Sequence, residues 1–212
     1  MRPFALAAAM ILAPFCARAG GERAGEFDYY ILALSWSPTW CALTGDARGA
    51  DQCDPRHDFS FTLHGLWPQH EIGWPGDCRS TARPPTRTET AAMADIMGSG
   101  GLAWHEWNKH GRCSGLSAAD YFALSRRAYG SITIPKVLAG LDRDVTLPAS
   151  VVEDAFIEAN PGLTRPMITI TCEAGRIDEA RICLTRDLAP RPCGEDAARD
   201  CRMPDALMER VR

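Results

Sequence analysis

The sequence predicts an α+β protein with a mainly antiparallel central sheet and flanking helices. Three observations carry this. Apolar, β-branched and aromatic runs stand at 27–36 and 58–68, and again at 167–172 and 176–185. Segments with helical patterning and capping residues fill the middle. The order of strands, then helices, then strands does not alternate as β-α-β winding requires.

The elements follow in order. "FDYYILALSW" (27–36) reads as a buried strand. In "DFSFTLHGLWP" (58–68), Phe59, Phe61 and Leu63 face one way and Ser60, Thr62 and His64 the other, with Gly65 and Pro68 ending the strand. Residues 69–87, rich in Gly, Pro, Thr and Arg, read as a long exposed loop. "TETAAMADIM" (88–97) reads as a helix stopped by Gly98, Gly100 and Gly101. Ser117 and Asp120 take capping-box positions in a helix over 117–130 that ends at Gly130, and Ser150 and Glu153 do so in one that stops before Pro161. "MITITC" (167–172) and "RIDEARICLT" (176–185) pair across Glu173-Ala174-Gly175.

The first residues, "MRPFALAAAMILAPFCARA", join a basic start, a short apolar run and an Ala17-Arg18-Ala19 cleavage pattern. They predict a signal peptide over 1–19, followed by one domain over 20–212 with no membrane span. Cleavage removes Arg2, Arg18 and Cys16, leaving 21 basic against 27 acidic side chains. Eight cysteines remain: Cys41, Cys53, Cys78, Cys113, Cys172, Cys183, Cys193 and Cys201. An even count in an exported chain implies disulfides, and the absence of any C-x-x-C pair argues against a structural zinc. Spacing does not choose the pairing. The expected location is periplasmic or secreted.

Chemistry concentrates in "HEWNKHGRC" (105–113), which holds two of the five histidines. On a helix over 102–110, at about 100° per residue, His105, Glu106, Lys109 and His110 span one face and Trp104 and Trp107 the other. A zinc protease helix needs H-E-x-x-H; here the spacing is H-E-x-x-x-H, and the histidines diverge by about 140°. A solvated charged face is the plain alternative. His64 sits on the polar face of a strand, before a glycine that admits a ligand to the backbone and beside Trp67, which offers an aromatic face. A strand histidine and a helix histidine can act as acid and base on opposite sides of a reacting group, with Glu106 and Lys109 holding developing charge. That suits phosphoryl transfer from an internal hydroxyl, without a metal.

"FTLHGLWPQ" and "HEWNKHGRCS" resemble the two active-site segments of the ribonuclease T2 family, and "FDYYILALSWSPTWC" and "ICLTRD" resemble its first and one of its last strands. The resemblance implies an endoribonuclease that cleaves single-stranded RNA by transesterification to a 2′,3′-cyclic phosphate, with possible later hydrolysis to a 3′-phosphate. It implies His64 as general acid and His110 as general base, although the residues alone leave those roles exchangeable. Glu106 and Lys109 match the pair that stabilises the pentacovalent state, His105 a phosphate-binding position, and Trp67 an aromatic that stacks on a base. It implies the disulfides Cys41–Cys53, Cys78–Cys113, Cys172–Cys201 and Cys183–Cys193. No cofactor or metal is implied, RNA is the expected partner, and a monomer is expected. Arg112 stands where members often carry Thr, and Gln69 where some carry a base-reading Asp.

The acidic balance contrasts with the basic footprint usual in nucleic-acid binders. A local patch from Lys109, Arg112, Arg79, Arg83 and Arg87 would answer it. Two other classes stay in play: a non-catalytic binding protein on the same scaffold, for which loss of a catalytic histidine would be the signature, and a metal-dependent phosphodiesterase, which would need more acidic ligands than Glu106. His57 and His70 read as surface histidines near the mouth of the site, and Trp36, Trp40 and Trp74 as core or rim.

Overall fold

The computed structural model describes residues 21–212; the expected signal peptide, with Cys16 and the cleavage pattern, lies outside them. The strands are β1 (Tyr29–Trp36), β2 (Phe61–Gln69), β3 (Val145–Leu147), β4 (Ile168–Glu173), β5 (Arg176–Leu184) and β6 (Ala206–Met208). They form one sheet in the order β2-β1-β5-β6-β3, with β4 also paired to β5. The pairings are antiparallel except β5 with β6. The helices are α1 (Ser37–Trp40), α2 (Arg87–Ala91), α3 (Ala94–Met97), α4 (Gly100–Lys109), α5 (Ala118–Gly130), α6 (Lys136–Ala139) and α7 (Ala149–Ala159). None among the described residues is long and apolar enough to cross a membrane.

Alternation along β1 divides the molecule. Tyr30, Leu32, Leu34 and Trp36 join the main core with Trp107, Tyr121 and Phe156, while Tyr29, Ile31 and Ala33 join a smaller cluster with Cys183 and Trp67. Each side chain so buried contributes roughly 1.5–3 kcal/mol. The helices cover the first face; the second carries the site.

β2 runs through Gly65 and Pro68 to Gln69 instead of ending at them. It lies at the end of the sheet, where a proline without an N–H costs no ladder bond to a further strand. Its register holds a bulge: Ala33 pairs with Gly65 and Leu34 with Leu63, so His64 has no residue opposite. The bulge shifts the alternation by one, so that Leu66 rejoins Phe61 and Leu63 in the main core and Trp67 falls on the other face. Edge carbonyls are capped from α5, where Tyr121 Oη donates to the Leu66 carbonyl (3.0 Å) and Tyr129 Oη to that of Phe61 (2.9 Å). Each such bond is worth roughly 0.5–1.5 kcal/mol.

Several helix boundaries differ from the sequence reading. The 88–97 helix is two short ones, the first opened by a capping box between Thr86 and Glu89. Gly98 ends the second in a left-handed conformation (φ 77°), but Gly100 and Gly101 begin α4 instead of stopping its predecessor. Ser117 caps α5 as its spacing predicts. Ser150 and Glu153 do not cap α7, which starts earlier, after Pro148; Glu153 is drawn instead to Arg165 (2.8 Å). Strands β3 and β6, three residues each, were too short for any periodicity to announce.

Four disulfides join Cys41 to Cys53, Cys78 to Cys113, Cys172 to Cys201 and Cys183 to Cys193, the pairs the family resemblance implies. The second fastens the loop after β2 to the turn that follows α4. The last ties the C-terminal loop to the middle of the second face.

Candidate active site

α4 starts where Ser99 Oγ accepts from Leu102 N (3.1 Å) and stops at His110, whose N–H still bonds Glu106 O (2.9 Å). A tight 3-10 turn over Gly111–Ser114 follows. Gly111 is required there: a Cβ would meet Tyr121 Cε1 at 2.7 Å and Trp107 Cε3 at 2.8 Å. Tyr121 therefore grips the end of α4 with its ring and β2 with its hydroxyl, setting the His110 segment against the His64 segment.

The helix presents its ionisable groups differently from the one-face reading. Ala103, Glu106, Trp107 and His110 are buried, while Trp104, His105 and Lys109 are exposed. The buried arc is thus centred about 150° from His105, between Glu106 and Trp107. Both tryptophans do not anchor the helix; Trp107 does, and Trp104 faces solvent at 46% exposure. The reason is local: β2 offers Trp67 and His64 as polar partners, so the sheet accepts a carboxylate where an apolar face was expected.

Glu106 is 1% exposed. Trp67 Nε1 donates to its Oε2 (2.6 Å), and its Oε1 stands 3.5 Å from His64 Nε2. Gly65 makes this approach possible, since a Cβ there would meet Glu106 Oε2 at 2.2 Å and Trp67 Nε1 at 2.3 Å. The glycine admits the chain's own carboxylate and indole, where the sequence reading assigned it a ligand. Trp67 stacks on His110 (centroids 5.0 Å, 28° between planes), meets the edge of His64 (5.2 Å), and carries the Arg181 guanidinium 5.3 Å from its ring. With His110 and Arg181 against it, Trp67 organises the site more than it offers a bare face to a base.

The two histidines feel opposite fields. Burial works to lower the pKa of His64, but the hydrogen bond and charge of Glu179, then the charges of Glu106 and Asp178, outweigh it and hold it above the ordinary histidine value. His110 is pushed down to about 3 by burial and then by the positive charges of Lys109, His64 and His105. Burial raises the pKa of Glu106, against the pull of His64, the Trp67 hydrogen bond, His105 and Lys109. The arrangement therefore favours the protonated form of His64 and the neutral form of His110, on either side of Trp67.

A cavity of about 270 Å³ opens beside them, lined by Trp67, Gln69, Trp74, Lys109, His110 and Arg181 among others. Gln69 is buried with its Nε2 donating to Pro68 O (2.9 Å), and Trp74 is 64% exposed. Lys109 lines this cavity from α4, and His105, one turn earlier, is exposed. His57 lies away from this cluster against Asp51 (3.3 Å) and Phe59, and His70 stands 3.9 Å from both Glu22 and Asp28. In the expected basic patch, Arg83 is tied to Glu89 (2.7 Å).

Sequence reading missed Glu179, Arg181 and Tyr121. A signal existed for the first two: within "RIDEARICL" they alternate with Ala180 and Ile182, so a strand there puts both charged side chains on one face.

Two histidines of opposed pKa displacement, held on a strand and a helix end about one buried carboxylate, form an arrangement suited to general acid–base chemistry. The sequence matches the Ribonuclease T2 family over residues 27–193, and the chain belongs to that family. It is 43% identical over 128 residues to a ribonuclease of Aeromonas hydrophila, covering 59% of this chain and 56% of that protein. It is 32% identical to a probable ribonuclease of Haemophilus influenzae, covering 55% and 47%. The chain thus spans about half the length of these curated relatives. Among solved structures, the RNase-related protein from Calystegia sepium superposes with a TM-score of 0.67 over 88% of this chain and 99% of that one, at 20% identity, a likeness of fold.

Proposed function

We propose that this protein is an endoribonuclease that cleaves single-stranded RNA by transesterification, using acid–base groups of its own chain. The observation that carries the reading is the opposed displacement of the two histidine pKa values across Trp67. It supports His110 as the base and His64 as the acid, the assignment the residues alone left open. His110 takes the proton of the 2′-hydroxyl, and O2′ attacks phosphorus. The P–O5′ bond breaks, and His64 gives its proton to O5′. The products are a 2′,3′-cyclic phosphate and a 5′-hydroxyl; reversing the roles with water yields a 3′-phosphate. Glu106, Lys109 and His105 meet the changing charge on the phosphoryl oxygens. The cavity beside His110 takes a base, with Trp74 as the exposed aromatic. A monomer is the proposed working unit. Residues 1–19 act as an export signal, and four disulfides fit a periplasmic or secreted protein.

The test is a DNA oligomer carrying a single ribonucleotide. Cutting is expected only on the 3′ side of that ribonucleotide, with a cyclic phosphate as first product and no effect of EDTA, because the attached hydroxyl is the pre-positioned nucleophile, an advantage worth up to roughly 7–11 kcal/mol. Cleavage at deoxynucleotides, or a 5′-phosphate product, would overturn the reading in favour of a metal-dependent phosphodiesterase. No cleavage at all would favour a binding protein on the same scaffold.

A further inference from the structure

We propose that Glu179 is the positioning residue of this site: its buried carboxylate, braced by Arg181, holds Nδ1 of His64 so that Nε2 faces the reacting phosphodiester. The inference rests on the ribonuclease reading for the identity of the reacting group, but its structural content stands apart from it.

Glu179 is 3% exposed and every polar atom is engaged. One carboxylate oxygen accepts from His64 Nδ1 and from Ser35 Oγ (3.3 Å); the other accepts from Arg181 Nε (2.8 Å). Its N–H donates to Thr171 Oγ1 (3.2 Å). Sheet register sets this up, since Glu179 pairs with Ser35 and Arg181 with Ala33, and Ala33 pairs on its other side with Gly65, next to His64. The bulge at His64 turns its ring across β1 toward Glu179. A buried carboxylate is expensive unless charge and hydrogen bonds compensate it. Arg181 alone would compensate this one, yet its second oxygen is spent on the imidazole.

The consequence is a defined tautomer. With the Nδ1 proton committed to Glu179, the proton that can leave is the one on Nε2. The charges facing His64 are Glu179, Asp178 and Arg181 from β5, Glu106 from α4, and His110 beyond Trp67. Burial works to raise the pKa of Glu179, but His64 and Arg181 hold it at about 2, so it stays anionic throughout the working range and favours the protonated ring.

The experiment is an NMR titration of the His64 ring without substrate, beside the pH dependence of kcat/KM, in wild type and Glu179→Gln. The variant's His64 pKa is expected to fall by about one unit or more, and the alkaline limb of kcat/KM to move down with it. A uniform loss of rate with both unmoved would mean that Glu179 only supports the fold, and would overturn the proposal. Should Glu179→Gln fail to fold, Arg181→Gln decides: removing the cation that competes for Glu179 should move the His64 pKa upward, and a fixed or lowered value would overturn it. If the wild type cut no RNA, the functional reading would fall while the titration still judged the Glu179–His64 pair.

Discussion

His64 and His110 are the same side chain in two settings, and the contrast explains the site. His64 sits on a strand bulge among carboxylates: Glu179 on one ring nitrogen, Glu106 facing the other, Asp178 behind. His110 closes a helix among cations, with Lys109 and His105 on the last turn and no carboxylate bonded to its ring. Both are mostly buried, so burial alone would lower both pKa values. The Glu179 hydrogen bond and the sign of the neighbouring charges separate them. One fold can thus hold an acid and a base of identical chemistry at one pH, by seating one against the sheet and the other at a helix end.

The comparison breaks most sharply if either member is removed. His64→Ala and His110→Ala should each cost about 10²–10⁴-fold in kcat while leaving the fold intact by circular dichroism. A variant with near wild-type turnover would strip that residue of its role. The next largest effect is expected from Gly65→Ala, which alters neither imidazole. The added methyl would displace Glu106 and Trp67, the groups that separate the two rings, and a shift near 1 Å costs about 10²-fold. Unchanged activity would show that the Glu106–Trp67 contact does not set the spacing.

The smallest effect sharpens the comparison. Neutral His110 appears as pH rises through its lowered pKa, and protonated His64 is lost as pH rises through its raised one. The free-enzyme profile of kcat/KM should therefore be a broad bell, its acid limb set by His110 and its alkaline limb by His64. Lys109→Gln removes one cation beside His110, so the acid limb should move upward by less than about one unit, Lys109 being exposed and screened. The alkaline limb should stay. Movement of both limbs together would mean that the two fields are not separate.

Much of this was legible in the residues. An apolar, β-branched and aromatic run located β1, pairing across Glu173-Ala174-Gly175 located β4 and β5, the spacing of Ser117 and Asp120 located the start of α5, and the segments around His64 and His110 carried the family resemblance. These are local signals, written within a few residues of what they specify. The sequence alone singled out the groups to which the proposed chemistry is assigned. It did not determine how Trp67, Gly65 and α4 face one another, because a helix wheel gives angles between side chains and not the direction of the core. Trp104 and Glu106 exchanged their expected environments for that reason. Nor could it place Glu179, which is 115 residues from His64 and reaches it only through the β2-β1-β5 register. The opposed pKa displacements on which the proposed acid and base roles rest come from tertiary structure, since the displacing charges are neighbours in space and, for His64, strangers in sequence.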